Sequence, residues 1–184
     1  MSMLCWTRWW PVVVASLVTS AVANPLPHDP DHEAEATRWC AAHILRNELH
    51  EALSDCDYAL SKQPDDVQLL SNRGTIHMML RNPNAALADL NSAIEIRPTE
   101  ARLHYNRGLA HGSLGHHRQA IIDYDEAIRL WPEFYAALHN RGYEYEMVGD
   151  EETALRDYEV ALRAQPELQE TKKRIEALKR RRSL

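Results

Sequence analysis

Prolines recur at Pro64, Pro98, Pro132 and Pro166, each 34 residues after the one before. This interval constrains the chain more than any other feature. It also links Ala52, Ala86, Ala120 and Ala154; Asp55, Asp89, Asp123 and Asp157; and Ala59, Ala93, Ala127 and Ala161. The triplet Asn-Arg-Gly returns at 72–74, 106–108 and 140–142. Self-similarity at such a period marks stacked supersecondary units, each too small to bury its own apolar face alone. Within 101–134 the apolar residues fall into two helical blocks, Leu103 to Leu114 and Ala120 to Trp131. Gly115 separates them, as Gly149 does one unit later, and glycine just past a helix end is the usual left-handed stop. Each unit is therefore read as two antiparallel helices of about 14 residues, roughly 21 Å long.

Gly74, Gly108 and Gly142 sit in mid-helix, where glycine costs about 1 kcal/mol relative to alanine. A cost repeated at every period implies close approach by another group. Sixteen residues later the second helix offers Leu90, Tyr124 and Tyr158 to fill the space. Arg73, Arg107 and Arg141 likewise precede Asp89, Asp123 and Asp157 by sixteen residues, which predicts a ladder of ion pairs between paired helices.

This pattern resembles the tetratricopeptide repeat family, whose small–small–proline skeleton is met by Gly74/Ala86/Ala93/Pro98, Gly108/Ala120/Ala127/Pro132 and Gly142/Ala154/Ala161/Pro166. A degenerate first copy keeps Ala52, Ala59 and Pro64 but has Cys40 in place of glycine. The family's aromatic near the start of each unit is replaced by Ala36, Leu70, His104 and Leu138; a bulky apolar residue suffices there, and His104 stands out. The resemblance implies an all-α, right-handed superhelical solenoid of four repeats, 33–66, 67–100, 101–134 and 135–168, with a capping helix and basic tail over 169–184. It also implies a protein- or peptide-binding adaptor.

The beginning of the chain reads differently. One basic residue, Arg8, precedes an apolar run from Trp9 to Val18 that ends in Ala21-Val22-Ala23. This is the pattern of a secretory signal over 1–23, with a proline-rich extended linker at 24–32. An uncleaved anchor is the competing reading, but a membrane-spanning helix needs about 20 apolar residues. Trp9 to Ala23 supplies 15 and includes Pro11. The expected location is the periplasm or the secreted space. Cleavage would remove one positive charge and no negative one, moving the net from −6 to −7. An acidic chain is poorly suited to general nucleic-acid binding, which needs a basic surface.

Export gives the two cysteines beyond the signal, Cys40 and Cys56, an oxidising compartment. Their spacing of sixteen equals that of Gly108 and Tyr124, so a disulfide between paired helices is expected, with two buried thiols as the alternative. Ten histidines show no ligand motif such as i, i+4, and no metal or other cofactor is expected. No Gly-x-Ser-x-Gly elbow, phosphate-cradling loop or His-Glu-x-x-His is present, so the chain is not read as an enzyme.

The resemblance assigns partner binding to the concave face, built from the second, fifth, sixth, ninth, twelfth and thirteenth places of each repeat. These places give the candidate contacts Asn72, Met78, Tyr105, Asn106, Leu109, His139, Asn140, Tyr143 and Met147. Three asparagines in register could hold an extended peptide backbone, since an amide both donates and accepts; alternatively they only satisfy neighbouring backbone. The clamp that grips a terminal carboxylate with lysines is unmatched, because Ser71 and Tyr105 occupy the fifth place. A different role is structural, in an envelope assembly that uses the convex face or the basic block Lys172 to Arg182. That block would meet water as a helix cap or touch an anionic membrane surface.

Overall fold

The computed structural model describes residues 33–183. The expected signal and linker lie outside them. Among the described residues the chain forms nine helices and no strand: α1 (Glu33–Leu45), α2 (Leu49–Lys62), α3 (Val67–Met79), α4 (Pro83–Ile96), α5 (Ala101–Ser113), α6 (His117–Leu130), α7 (Tyr135–Met147), α8 (Glu151–Ala164) and α9 (Gln169–Arg182). Helices α1 to α8 pair as four hairpins, and α9 packs on α8. Each hairpin's second helix meets the first helix of the next hairpin, and α1, α3, α5 and α7 also touch one another in succession. That second set of contacts makes the first helices a continuous inner face.

The turns explain why the helices end where they do. Asn47, Arg81, Gly115 and Gly149 all have positive φ, 60°, 61°, 73° and 87°, and they stand 34 residues apart. At each, the residue after the turn donates its N–H back across it: Glu48 to His43 O, Asn82 to His77 O, His116 to His111 O, and Asp150 to Tyr145 O. These are Schellman closures, which satisfy carbonyls left open at a helix end. The Asp66 side chain caps α3 by accepting from the N–H of Gln68 and Leu69, and Asp150 caps α8 through Thr153.

The glycine columns do what their spacing predicts. A Cβ on Gly108 would lie 2.7 Å from the Tyr124 ring, one on Gly142 would lie 2.8 Å from Tyr158, and one on Gly74 would lie 3.1 Å from Leu90. In the first hairpin the same place holds the Cys40–Cys56 disulfide, with Cα atoms 5.2 Å apart and both residues fully buried.

The arginine ladder forms and reaches further than expected. Arg73 holds Asp89 at 2.6 Å and also reaches back to Asp57 at 2.7 Å. Arg107 holds Asp123 at 2.7 Å and Asn91 at 3.0 Å, and Arg141 holds Asp157 and Asp125, each at 2.6 Å. Each guanidinium thus ties its own hairpin and staples it to the previous one. Asp89, Asp123 and Asp157 are buried, and stranding such a carboxylate costs on the order of 3–5 kcal/mol. In the first hairpin Trp39 replaces the arginine, and the His43 ring nitrogen donates to Asp55 at 2.7 Å instead.

Candidate peptide-binding face

The inner face is narrower than the sequence suggests. Tyr105 is only 2% exposed; its ring packs on Phe134 at 4.7 Å and Tyr124 at 5.9 Å, and burial pushes its hydroxyl well above its ordinary pKa. His139 is buried as well, its Nδ1 2.8 Å from Thr171 Oγ1 and its ring 5.3 Å from Tyr158. Burial, reinforced by the Arg174 charge, lowers its pKa to about 3, so it is neutral at pH 7. These two residues, expected as partner contacts, are corrected to packing residues. The fifth place faces the first helix of the following unit, which closes over it.

Met78 is likewise interior, packed among Ala86, Leu90 and Ala110. Asn72 and Asn106 are buried too, and Asn72 accepts from Gln68 Nε2 at 3.0 Å. The third asparagine differs. Asn140 is half-buried and donates from Nδ2 to the Tyr105 hydroxyl at 3.1 Å, so it fixes the tyrosine beneath it. The asparagine column is therefore not an open row of amides.

Leu109 and Tyr143 are half-buried and Met147 is 48% exposed. Together with Asn140 they leave solvent-facing apolar surface and one amide on α5 and α7. The Arg174 guanidinium of α9 lies 4.6 Å from the Tyr143 ring centre, so the cap helix holds that ring in place. Beside it Glu146 accepts from the Tyr158 hydroxyl at 2.6 Å and pairs with Arg174 and Arg181, each at 3.1 Å. Lys179 pairs with Glu159 at 3.5 Å. Much of the basic block is thus engaged within the molecule.

Two features escaped the sequence reading. Glu144 stands in a column otherwise filled by Ala42, Ile76 and Ala110. It is buried, bonded to His117 Nδ1 at 2.6 Å, and seated so closely on Gly112 that a Cβ there would lie 2.5 Å from its Oε1. Burial raises its pKa while His117 opposes the rise. The break in the apolar column was the available signal, but the partner 27 residues away was not predictable from it. His104, the odd residue of its column, is buried and its Nε2 donates to the Pro98 carbonyl at 2.7 Å. Among the described residues no group of three histidine, cysteine, aspartate or glutamate side chains converges to hold a metal ion, and no helix is long and apolar enough to cross a membrane.

Family models for the tetratricopeptide repeat match residues 101–134 and, for a TPR repeat, 84–115. A comparison with curated proteins finds no match. Among solved structures the chain is similar to MamA, at 21% identity and a TM-score of 0.74 over 79% of this chain and 85% of that one. It is similar to MamA 41-end from Desulfovibrio magneticus RS-1, at 18% identity and a TM-score of 0.70 over 75% and 78% of the two chains. It is also similar to YrrB, described as a TPR protein with an unusual peptide-binding site, at 23% identity and a TM-score of 0.67 over 77% and 74%. At these identities the likeness speaks for the fold.

Proposed function

Because this chain is a tetratricopeptide repeat protein, we propose that it is a non-catalytic adaptor that binds an extended protein segment on its inner face, in the periplasm or the secreted space. The observation that carries this reading is the patch of Leu109, Asn140, Tyr143 and Met147. Its apolar groups remain open to water although apolar neighbours elsewhere are covered. Methionine and leucine adapt to varied side chains, a tyrosine held by Arg174 adds a rigid wall, and one amide is available to register a backbone. YrrB, similar in fold, is described as having a peptide-binding site, which lends the reading support. Export rests on the sequence pattern of residues 1–23.

The test is site-specific photocrosslinking in the source cell. A photoreactive residue at Leu109 or Met147 should yield discrete adducts, and one at Ile122, which is 65% exposed on α6, should not. Equal adducts from Ile122 would sink the inner-face reading. Recovery of the protein with residues 1–23 intact in the cytoplasmic fraction would sink the proposed location.

A further inference from the structure

One place in the fold is filled in three different ways, and only one of them is chemically reversible. Between the helices of successive hairpins stand Cys40/Cys56, Gly74/Leu90, Gly108/Tyr124 and Gly142/Tyr158. The last three are packed contacts that no ordinary reagent alters. The first is covalent. The second clasp of each hairpin follows the same division: an arginine grips a buried aspartate in three of them, while Asp55 has His43 at 2.7 Å and no arginine. The first hairpin therefore has the weakest non-covalent hold and the only covalent one among the described residues.

We propose that the Cys40–Cys56 disulfide is a redox-responsive clasp, whose reduction releases the α1–α2 hairpin from the array and uncovers the apolar flank of α3. The chemistry is ordinary exchange. A dithiol reductant attacks one sulfur as a thiolate and expels the other cysteine as a thiolate. Its second thiol then resolves the mixed disulfide. Two electrons and two protons pass to the cysteine pair, and the reductant leaves as its own disulfide. Both cysteines are fully buried, so attack requires the hairpin to open first. A terminal unit of a solenoid, contacting a neighbour on one side only, is where such opening is easiest.

Reduction then works against closure in two ways. Bonded sulfurs lie about 2.05 Å apart, whereas non-bonded heavy atoms settle at about 3.5–4.0 Å, so two thiols need room that helices with Cα atoms 5.2 Å apart do not provide. The unfolded hairpin also regains the entropy of a sixteen-residue loop, which corresponds to about a 100-fold rise in the open population. On release, Val67, Leu69, Leu70 and Ile76 lose the cover of Ile44, Ala52, Ala59 and Leu60, with which they share one core cluster.

Hydrogen exchange on the full chain, oxidised and then treated with dithiothreitol, tests this. The expected result is exchange across residues 37–62 faster by about 100-fold, with α5 to α8 unchanged and increased binding of an apolar dye. The double variant Cys40→Gly/Cys56→Leu copies the Gly74/Leu90 contact, and its exchange must be the same with and without dithiothreitol. Unchanged protection of α1 and α2 after verified reduction would overturn the proposal. So would an even loss of protection through α8, or a response of the double variant to the reagent.

Discussion

The two ends of the array face the same problem, a first or last hairpin with a described neighbour on one side only, and solve it with different chemistry. At the N-terminal end the hairpin is tied covalently by Cys40–Cys56, and His43 takes over Asp55. At the C-terminal end an added helix supplies Ile175 and Leu178 to the exposed flank of α8 around Ala154 and Tyr158. It is fastened by Arg174 and Arg181 on Glu146 and by Thr171 on His139. The middle hairpins need neither device, because each arginine staples its hairpin to the one before. Fastening is thus a property of position in the array, and the two ends answer to different variables: oxidation state at one and pH at the other.

The largest effect that separates the ends is acid release of the cap. His139 has a folded-state pKa of about 3, below the ordinary value of about 6.5. The fold therefore favours its neutral form, and that contribution is fully present above about pH 6.5. It is lost as pH falls, at about 1.4 kcal/mol per pH unit until the folded value is reached. Two units of acidification, from 6.5 to 4.5, should cost about 2.7 kcal/mol. Hydrogen exchange in α9 should rise over that range while α5 and α6 stay protected. In His139→Gln, which keeps a polar partner for Thr171 but cannot be charged, the dependence should flatten. An equally steep dependence in that variant would assign the acid sensitivity to the carboxylates of the cap instead.

How much of this was readable beforehand depended on whether a column was unbroken. Gly108 with Tyr124 and Arg107 with Asp123 could be read from spacing alone, because the same pair returned at the same offset and only one contact explained all the copies. The Cys40–Cys56 pair was legible by the same substitution logic. The inner face was less so. Whether Tyr105 lies open or buried depends on Phe134, in the turn that leads into the next repeat, and whether Asn72 is free depends on Gln68 within its own helix. Glu144 was visible as an anomaly, but its pairing with His117 depends on how one turn orients a side chain toward the next hairpin. Position within a repeat was encoded in the period; contact across repeats was encoded only where it also repeated.

The middle hairpins allow a sharper comparison, between two fillings of one site. Alanine in place of a mid-helix glycine gains about 1 kcal/mol of helix propensity. At Gly74 the new methyl would lie 3.1 Å from Leu90 Cγ, and a branched aliphatic chain can shift by a few tenths of an ångström, so Gly74→Ala should be close to neutral. At Gly108 it would lie 2.7 Å from the Tyr124 ring. That ring is wholly buried, with Tyr105 beside it, and has nowhere to go. Overpacking of this kind costs about 1–3 kcal/mol, so Gly108→Ala should be destabilised by about 1–2 kcal/mol net of the propensity gain. Urea midpoints at unchanged slope would report the difference. Equal midpoints for the two variants would mean that the ring yields and that the glycine column is not a steric requirement.

The smallest expected effect compares the end turn with an inner one. Arg81 and Asn47 hold the left-handed position at φ 61° and 60°, where the last two hairpins use Gly115 and Gly149. A left-handed conformation costs an ordinary L-residue about 1–2 kcal/mol, less for asparagine, whose short side chain bonds locally. Glycine removes that cost and adds back about 0.5–1 kcal/mol of backbone entropy. Arg81→Gly should therefore stabilise by about 0.5–1 kcal/mol, and Asn47→Gly by no more than a few tenths. The turn bonds from Arg81 N–H to Met78 O and from Asn82 N–H to His77 O are backbone to backbone, so the substitution leaves them intact. Arg81 is also exposed, so its loss opens no cavity. The ordering is the informative part. If Asn47→Gly stabilises as much as Arg81→Gly, the gain belongs to the denatured chain and not to relief of the native turn.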